Sequence, residues 1–220
     1  YPERQLDMVR SMVDMYKAWG WMPKWELIGR ETFTMEGDPA IPVIADTWLK
    51  GLKDFDIQTA YEAFVKSAET PGKDNLMRPD VDPYIDRGYV PLGMYSADLS
   101  GDNSVSHALE YYIADYALSL LAADLGYKED SERYLARSLQ YRNYYCPEFG
   151  TFRPLTKDGD FLEPFNPRQG ENFEPVPGFE TKYVLFEIDA NIYVVDDLAE
   201  KTDAMCAAME KVSGLSFKTK

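Results

Sequence analysis

The sequence is short of the residues on which many enzymes and metal sites depend. It has one histidine, His107, and two cysteines, Cys146 and Cys206. Two thiols make neither a disulfide framework nor a zinc pattern. A Ser–His or Cys–His nucleophile would depend on His107 alone. Positive charge is scarce too: 23 Lys and Arg face 38 Asp and Glu, a formal net charge of −15. Such a chain repels nucleic acid and anionic membranes at long range, and no basic patch reverses the field. No stretch reaches the ~18 apolar residues of a membrane span. No signal peptide is visible, and the chain starts at Tyr1 rather than Met, as a mature or excised piece would. There is no strict repeat with a period of roughly 20 to 50 residues.

What is present is an ordinary core and many rings. Hydrophobic residues make up 45% and aromatics 14%, with 16 Tyr and 4 Trp. At 220 residues the chain can form one large domain or two small ones. Rings beside carboxylates suit a neutral sugar, because rings stack on its C–H faces and carboxylates accept from its hydroxyls. The plainer reading places most of these rings in the core.

The chain is organised around SVSHALEYYIADYALSLLAADL, Ser104 to Leu125. Val105, Ala108, Leu109, Tyr112, Ala117, Leu120, Leu121 and Leu125 recur mostly at spacings of three and four, which predicts a long helix. Ser104 or Ser106 can cap its start. Two acids, Glu110 and Asp115, sit in this apolar surface, five residues apart and so roughly 140° apart around the helix. An acid among Leu, Tyr and Ala has its charged form disfavoured, which is what a general acid needs. The competing reading is a structural acid bonded to a tyrosine hydroxyl.

Taken in order, Pro2 to Trp19 predicts a first helix, with Pro2 in its first turn and Gly20 as its end. Residues 20–40 form a loop broken by glycine and proline, carrying Trp21, Trp25, Glu26, Arg30, Glu31, Glu36 and Asp38. A loop so rich in tryptophan and charge reads as either a binding surface or a connector with a tucked ring. Helices are predicted over Ile41–Lys53, Tyr61–Ser67, Glu129–Tyr145 and Leu198–Val212. Glu69–Gly88 reads as a polar loop. Asp98, Asp102 and Asn103 resemble a calcium loop only in composition, without EF-hand spacing. Phe149–Phe165 reads as a short hairpin turning at Asp158-Gly159. Val184–Val195 fits a strand or a helix, and the tail from Ser216 is expected to fray. Helices of globular length joined by long loops predict a mainly α fold, a toroid of helical hairpins or part of one. The whole of 1–220 reads as a single helical domain.

Four stretches together resemble glycoside hydrolase family 92: KWELIGRETFTMEGDPAIPVIADTWLKGLKDFD (Lys24–Asp56), GYVP (Gly88–Pro91), SVSHALEYYIADYALSLLAADLG (Ser104–Gly126) and RSLQYRNYYCPEFGTFRPLTKDGDFLEPFNP (Arg137–Pro167). The resemblance covers about residues 1–180, with 181–220 divergent. The family comprises calcium-dependent, inverting, exo-acting alpha-mannosidases, many of the alpha-1,2 type. It pairs an N-terminal β-sandwich with a C-terminal (α/α)6 barrel, so the resemblance implies the first half or more of that barrel. It also implies a mannose-containing glycan as substrate, calcium as cofactor, and a periplasmic or secreted location. The family segment Ser-x-x-Leu-Glu-Tyr is matched by Ser106, Leu109, Glu110 and Tyr111. That makes Glu110 the implied general acid and Asp115 its support, with Trp25, Glu26, Glu31 and Asp38 lining the mannose pocket.

The departures carry equal weight. An inverting glycosidase needs a second carboxylate to activate water, ~6.5–9.5 Å from the acid. The family's Gly-Asn-Asp-Asp-x-Gly segment is absent; Asp196-Asp197 lacks the Gly-Asn before it and the Gly after it. Where Glu-Gly-x-x-Trp-Gln-Tyr is expected, the sequence has GFETKY, with Glu180 and Tyr183 but no Trp or Gln between. Three readings follow: a partial mannosidase domain completed by the rest of a longer chain or by a partner copy, a carbohydrate-binding module without turnover, and a helical scaffold. A truncated toroid would expose an apolar edge.

Overall fold

The computed structural model describes residues 1–27, 29–92 and 104–165, together with the backbone of 183–188 and 190–195. Six α-helices dominate the described residues: α1 (Pro2–Trp19), α2 (Ala40–Leu49), α3 (Ile57–Glu69), α4 (Val81–Arg87), α5 (Ser104–Leu125) and α6 (Lys128–Ser138). The strands are short. β1 (Glu26–Leu27) pairs antiparallel with β2 (Arg30–Glu31), and β3 (Tyr145–Cys146) with β4 (Thr151–Phe152). β5 (Tyr183–Ile188) and β6 (Ala190–Val195) form a third two-stranded sheet. This is the mainly helical architecture expected from the sequence. The backbone falls into two compact units: Tyr1–Phe165 with Glu187–Ala190, and Asn166–Phe186 with Asn191–Lys220. The site lies in the first.

Local chemistry sets the element ends. α1 stops at Gly20, whose left-handed backbone (φ 80°) lets its N–H reach Tyr16 O at 2.7 Å. α3 starts four residues before the expected Tyr61, because Asp56 caps it by accepting from Thr59 N at 3.1 Å. α2 ends at Leu49 rather than Lys53, where Gly51 turns the chain at φ 89°. The expected loop 69–88 contains a 3-10 turn (Gly72–Asp74) and α4. Pro83 falls in the first turn of α4, where a missing N–H costs nothing, so its presence did not exclude a helix. The expected helix 129–145 is α-helical to Ser138 and continues as a 3-10 turn to Tyr144. Asp158-Gly159 does turn the chain, closed by a single Leu155–Phe161 bridge with Gly159 at φ 90°. Residues 184–188 and 190–195 are strand. The expected helix 198–212, the Asp98–Asn103 stretch, residues 178–182 of the GFETKY segment and the tail lie outside the described residues.

α5 is the axis of the first unit. It packs along α6, to which Gly126 and Tyr127 join it, and against α2 on another side. One apolar cluster gathers Val9 and Val13 of α1, Ile41 and Ile44 of α2, Phe64 of α3, and Leu118 and Leu121 of α5. A second joins Val81 and Tyr84 of α4 to Ala108, Tyr111 and Tyr112 of α5 and to Tyr144. Part of the apolar surface is left open. Val43 and Leu49 of α2 and Ile113, Tyr116 and Leu120 of α5 are exposed around a groove of about 750 Å³.

Candidate active site

The two acids of α5 have separate environments. Asp115 is fully buried, and four bonds use its carboxylate completely. Arg78 Nη1 donates to Oδ1 at 2.7 Å and Arg137 Nη2 to the same oxygen at 3.3 Å. Arg137 Nε and the Tyr84 hydroxyl donate to Oδ2 at 2.5 and 2.8 Å. Burial opposes the charge of Asp115, but the Arg78 and Arg137 guanidiniums outweigh it and hold the carboxyl below the usual range. Asp115 is therefore ionised and tied to α4, α6 and the loop carrying Arg78. Glu110 lies on a different side of α5, half-buried, with its stem against Gly37.

The loop before α2 is tied down by its own acids. The Glu31 carboxylate accepts from four backbone N–H groups: Lys24 at 2.6 Å, Trp25 at 3.0 Å, Thr32 at 2.8 Å and Phe33 at 2.7 Å. Asp38 is buried; its Oδ2 accepts from Ser67 Oγ and from Arg78 Nε at 3.2 Å. Arg78 thus bridges Asp38 to Asp115, and Asn75 sets its backbone by accepting from Arg78 N at 2.8 Å. Glu31 and Asp38, both expected to line the pocket, therefore direct these carboxylate oxygens at their own chain. Trp25 and Glu26 stand at the hairpin of β1 and β2, Glu26 exposed and Trp25 47% exposed.

A third buried acid, Asp80, links the loop before α4 to the N-terminal half of α5. It accepts from the Tyr111 hydroxyl at 2.6 Å and lies 3.0 Å from His107 Nδ1. Burial disfavours the imidazolium, but the hydrogen bond and charge of Asp80 outweigh it and raise His107 above its ordinary value. Burial likewise opposes the Asp80 charge, and the bond to His107 turns the balance downward. Because the folded value of His107 is raised, its contribution to stability is full below the ordinary histidine value and is lost as pH rises through the folded one. The loss in melting temperature caused by His107→Gln should therefore be largest near pH 5 and shrink toward about pH 9. Thermal melts across that range check it; a gap that is constant with pH contradicts the pairing.

Reasoning from the sequence missed Arg78, Asp80 and Arg137. Arg78 and Asp80 stand in a segment without apolar periodicity, Arg137 stands in a helix legible only as a helix, and only the fold brings all three to α5. Among the described residues no three His, Cys, Asp or Glu side chains cluster to hold a metal. Cys146 is a buried free thiol.

Residues 1–207 match the model of the glycosyl hydrolase family 92 catalytic domain. The chain belongs to glycosyl hydrolase family 92. A protein of Arthroderma benhamiae named as an uncharacterized secreted glycosidase is 32% identical over 171 residues, 76% of this chain and 22% of the relative. An inverting family 92 mannosidase of Bacteroides thetaiotaomicron superposes with a TM-score of 0.70 at 26% identity, over 77% of this chain and 22% of that one. A second family 92 alpha-mannosidase of that bacterium, solved with mannoimidazole, gives a TM-score of 0.66 at 33% identity over 77% and 21%. The chain thus spans about a fifth of the length of these family 92 relatives. No helix among the described residues is long and apolar enough to cross a membrane.

Proposed function

We propose that this chain carries the acid half of an exo-acting alpha-mannosidase site, of the alpha-1,2 type and inverting, with Glu110 as the general acid. One observation carries the reading. Glu110 stands half-buried in the Ser106–Tyr111 motif of α5, apart from the fully paired Asp115. Asp115 is ionised and has no proton to give near neutral pH; it supports Glu110 by holding α5 in place. Trp25 and Glu26 face the sugar, while Glu31 and Asp38 shape the loop that presents them. Glu110 protonates the departing glycosidic oxygen as the C1–O bond breaks. The base that deprotonates the attacking water comes from outside the motifs of this chain, from the rest of a longer chain or from a partner copy. Calcium belongs to the reading through the family alone. The described residues offer no cluster to hold it, and no step here runs through a metal. The secreted relative favours action outside the cytoplasm.

The full-length protein should release mannose from alpha-1,2-mannobiose, and NMR of the first product should show the β-anomer, because displacement from the opposite face inverts C1. Initial α-mannose would overturn inversion. Binding without release would favour the carbohydrate-binding module, which the missing base segment also allows. Absence of both binding and release would overturn mannoside recognition.

A further inference from the structure

The loop between β2 and α2 meets α5 at a residue with no side chain. Gly37 stands at φ 80°, and a Cβ built on it would lie 2.6 Å from Glu110 Cβ, 3.0 Å from Cγ and 3.2 Å from Oε2. Carbon atoms do not approach to 2.6 Å without something giving way. The loop is poorly placed to yield. On one side Asp38 is 1% exposed and bound to Ser67 and Arg78. Arg78 is in turn bound to Asp115 of α5 itself. On the other side the Glu31 carboxylate gathers four backbone N–H groups. The nearest atom, Glu110 Cβ, is fixed to the α5 backbone, so a methyl at Gly37 forces loop and helix apart and shifts the base of the Glu110 side chain with them.

We infer that Gly37 is a positioning residue for Glu110: its bare Cα walls the Cβ–Cγ stem and sets where the carboxyl points. This rests on the reading of Glu110 as the acid. The Asp38–Arg78–Asp115 chain is then the brace that keeps the wall against the helix. A general acid misplaced by about 1 Å loses on the order of a hundredfold in rate while ground-state binding survives.

In the full-length protein, Gly37→Ala should lower kcat on alpha-1,2-mannobiose about tenfold to a hundredfold with KM within about twofold. Gly51→Ala is the control. Gly51 has φ 89° and nothing within 4 Å, so the substitution adds the same kind of backbone strain without the contact and should leave kcat unchanged. In a Glu110→Gln background, Gly37→Ala should add almost nothing, because the group it displaces no longer gives a proton. Ser67→Ala, which loosens Asp38 without adding an atom at Gly37, is the second variant and should lower kcat severalfold at constant KM. Parental kcat in both Gly37→Ala and Ser67→Ala, with Glu110→Gln impaired, overturns the positioning role alone. Parental kcat in Glu110→Gln overturns the acid reading and the positioning role with it.

Discussion

Asp115→Ala is expected to cost about 3–5 kcal/mol of unfolding free energy, because it leaves two arginines facing an uncompensated hole. Arg78 has no exposed side-chain surface and Arg137 is 7% exposed. Water cannot replace the lost carboxylate for either, and Asp38 and Glu69 each neutralise only one of them. The Tyr84 hydroxyl also loses its acceptor. For a domain of this size the loss corresponds to a drop of roughly 6–20 °C in melting temperature. Asp115→Asn keeps the shape and removes the charge, so it should fall between parent and Ala. The pH dependence has a definite sign. The folded carboxyl is held below the usual range, so its contribution is present above the ordinary carboxylate value and disappears as pH falls through the folded one. The gap between parent and Asp115→Ala should therefore close on acidification. A melting temperature within about 1 °C of the parent at neutral pH would contradict the brace.

The same residue shows where the sequence was legible and where it was not. The bounds of α5 were readable from a run of Leu, Ala and Tyr at helical spacing, and the structure has the helix over Ser104–Leu125. Its buried face was not. Leu120, placed on the inner face by periodicity, is 41% exposed, while Asp115, Ser119 and His107 are buried. Periodicity assigns polar residues to water. Ser119 returns its hydroxyl to Tyr116 O of its own helix, but Asp115 and His107 go inward because their partners arrive from elsewhere: Arg78 from a segment that reads as loop, Arg137 from the end of α6, and Asp80 from before α4. The loop before α2 repeats the lesson. Trp25, Glu26, Glu31 and Asp38 are visible as residue types suited to a sugar, yet Glu31 and Asp38 are bound up in their own loop and in Arg78. Nothing in the spacing distinguishes a carboxylate that will collect backbone N–H groups from one that will face solvent. The close approach of Gly37 to Glu110 is likewise invisible until the loop is folded against α5.

Glu110→Gln tests the central claim, that α5 delivers a proton to the leaving group. Glutamine keeps the length and the hydrogen-bonding shape but has no acidic proton. In the full-length protein it should lower kcat on alpha-1,2-mannobiose by about a hundredfold to ten-thousandfold, the usual range for general acid catalysis. A mannoside whose leaving group is a strongly acidic phenol departs without protonation, so for it the loss should be smaller than about tenfold. The measurement to make is therefore kcat of parent and Glu110→Gln on both substrates at one pH. A large loss on mannobiose with near-parental turnover of the activated aryl mannoside is the result this account predicts. An equal loss on both, or no loss on either, would contradict it and move the proton donor elsewhere in the enzyme.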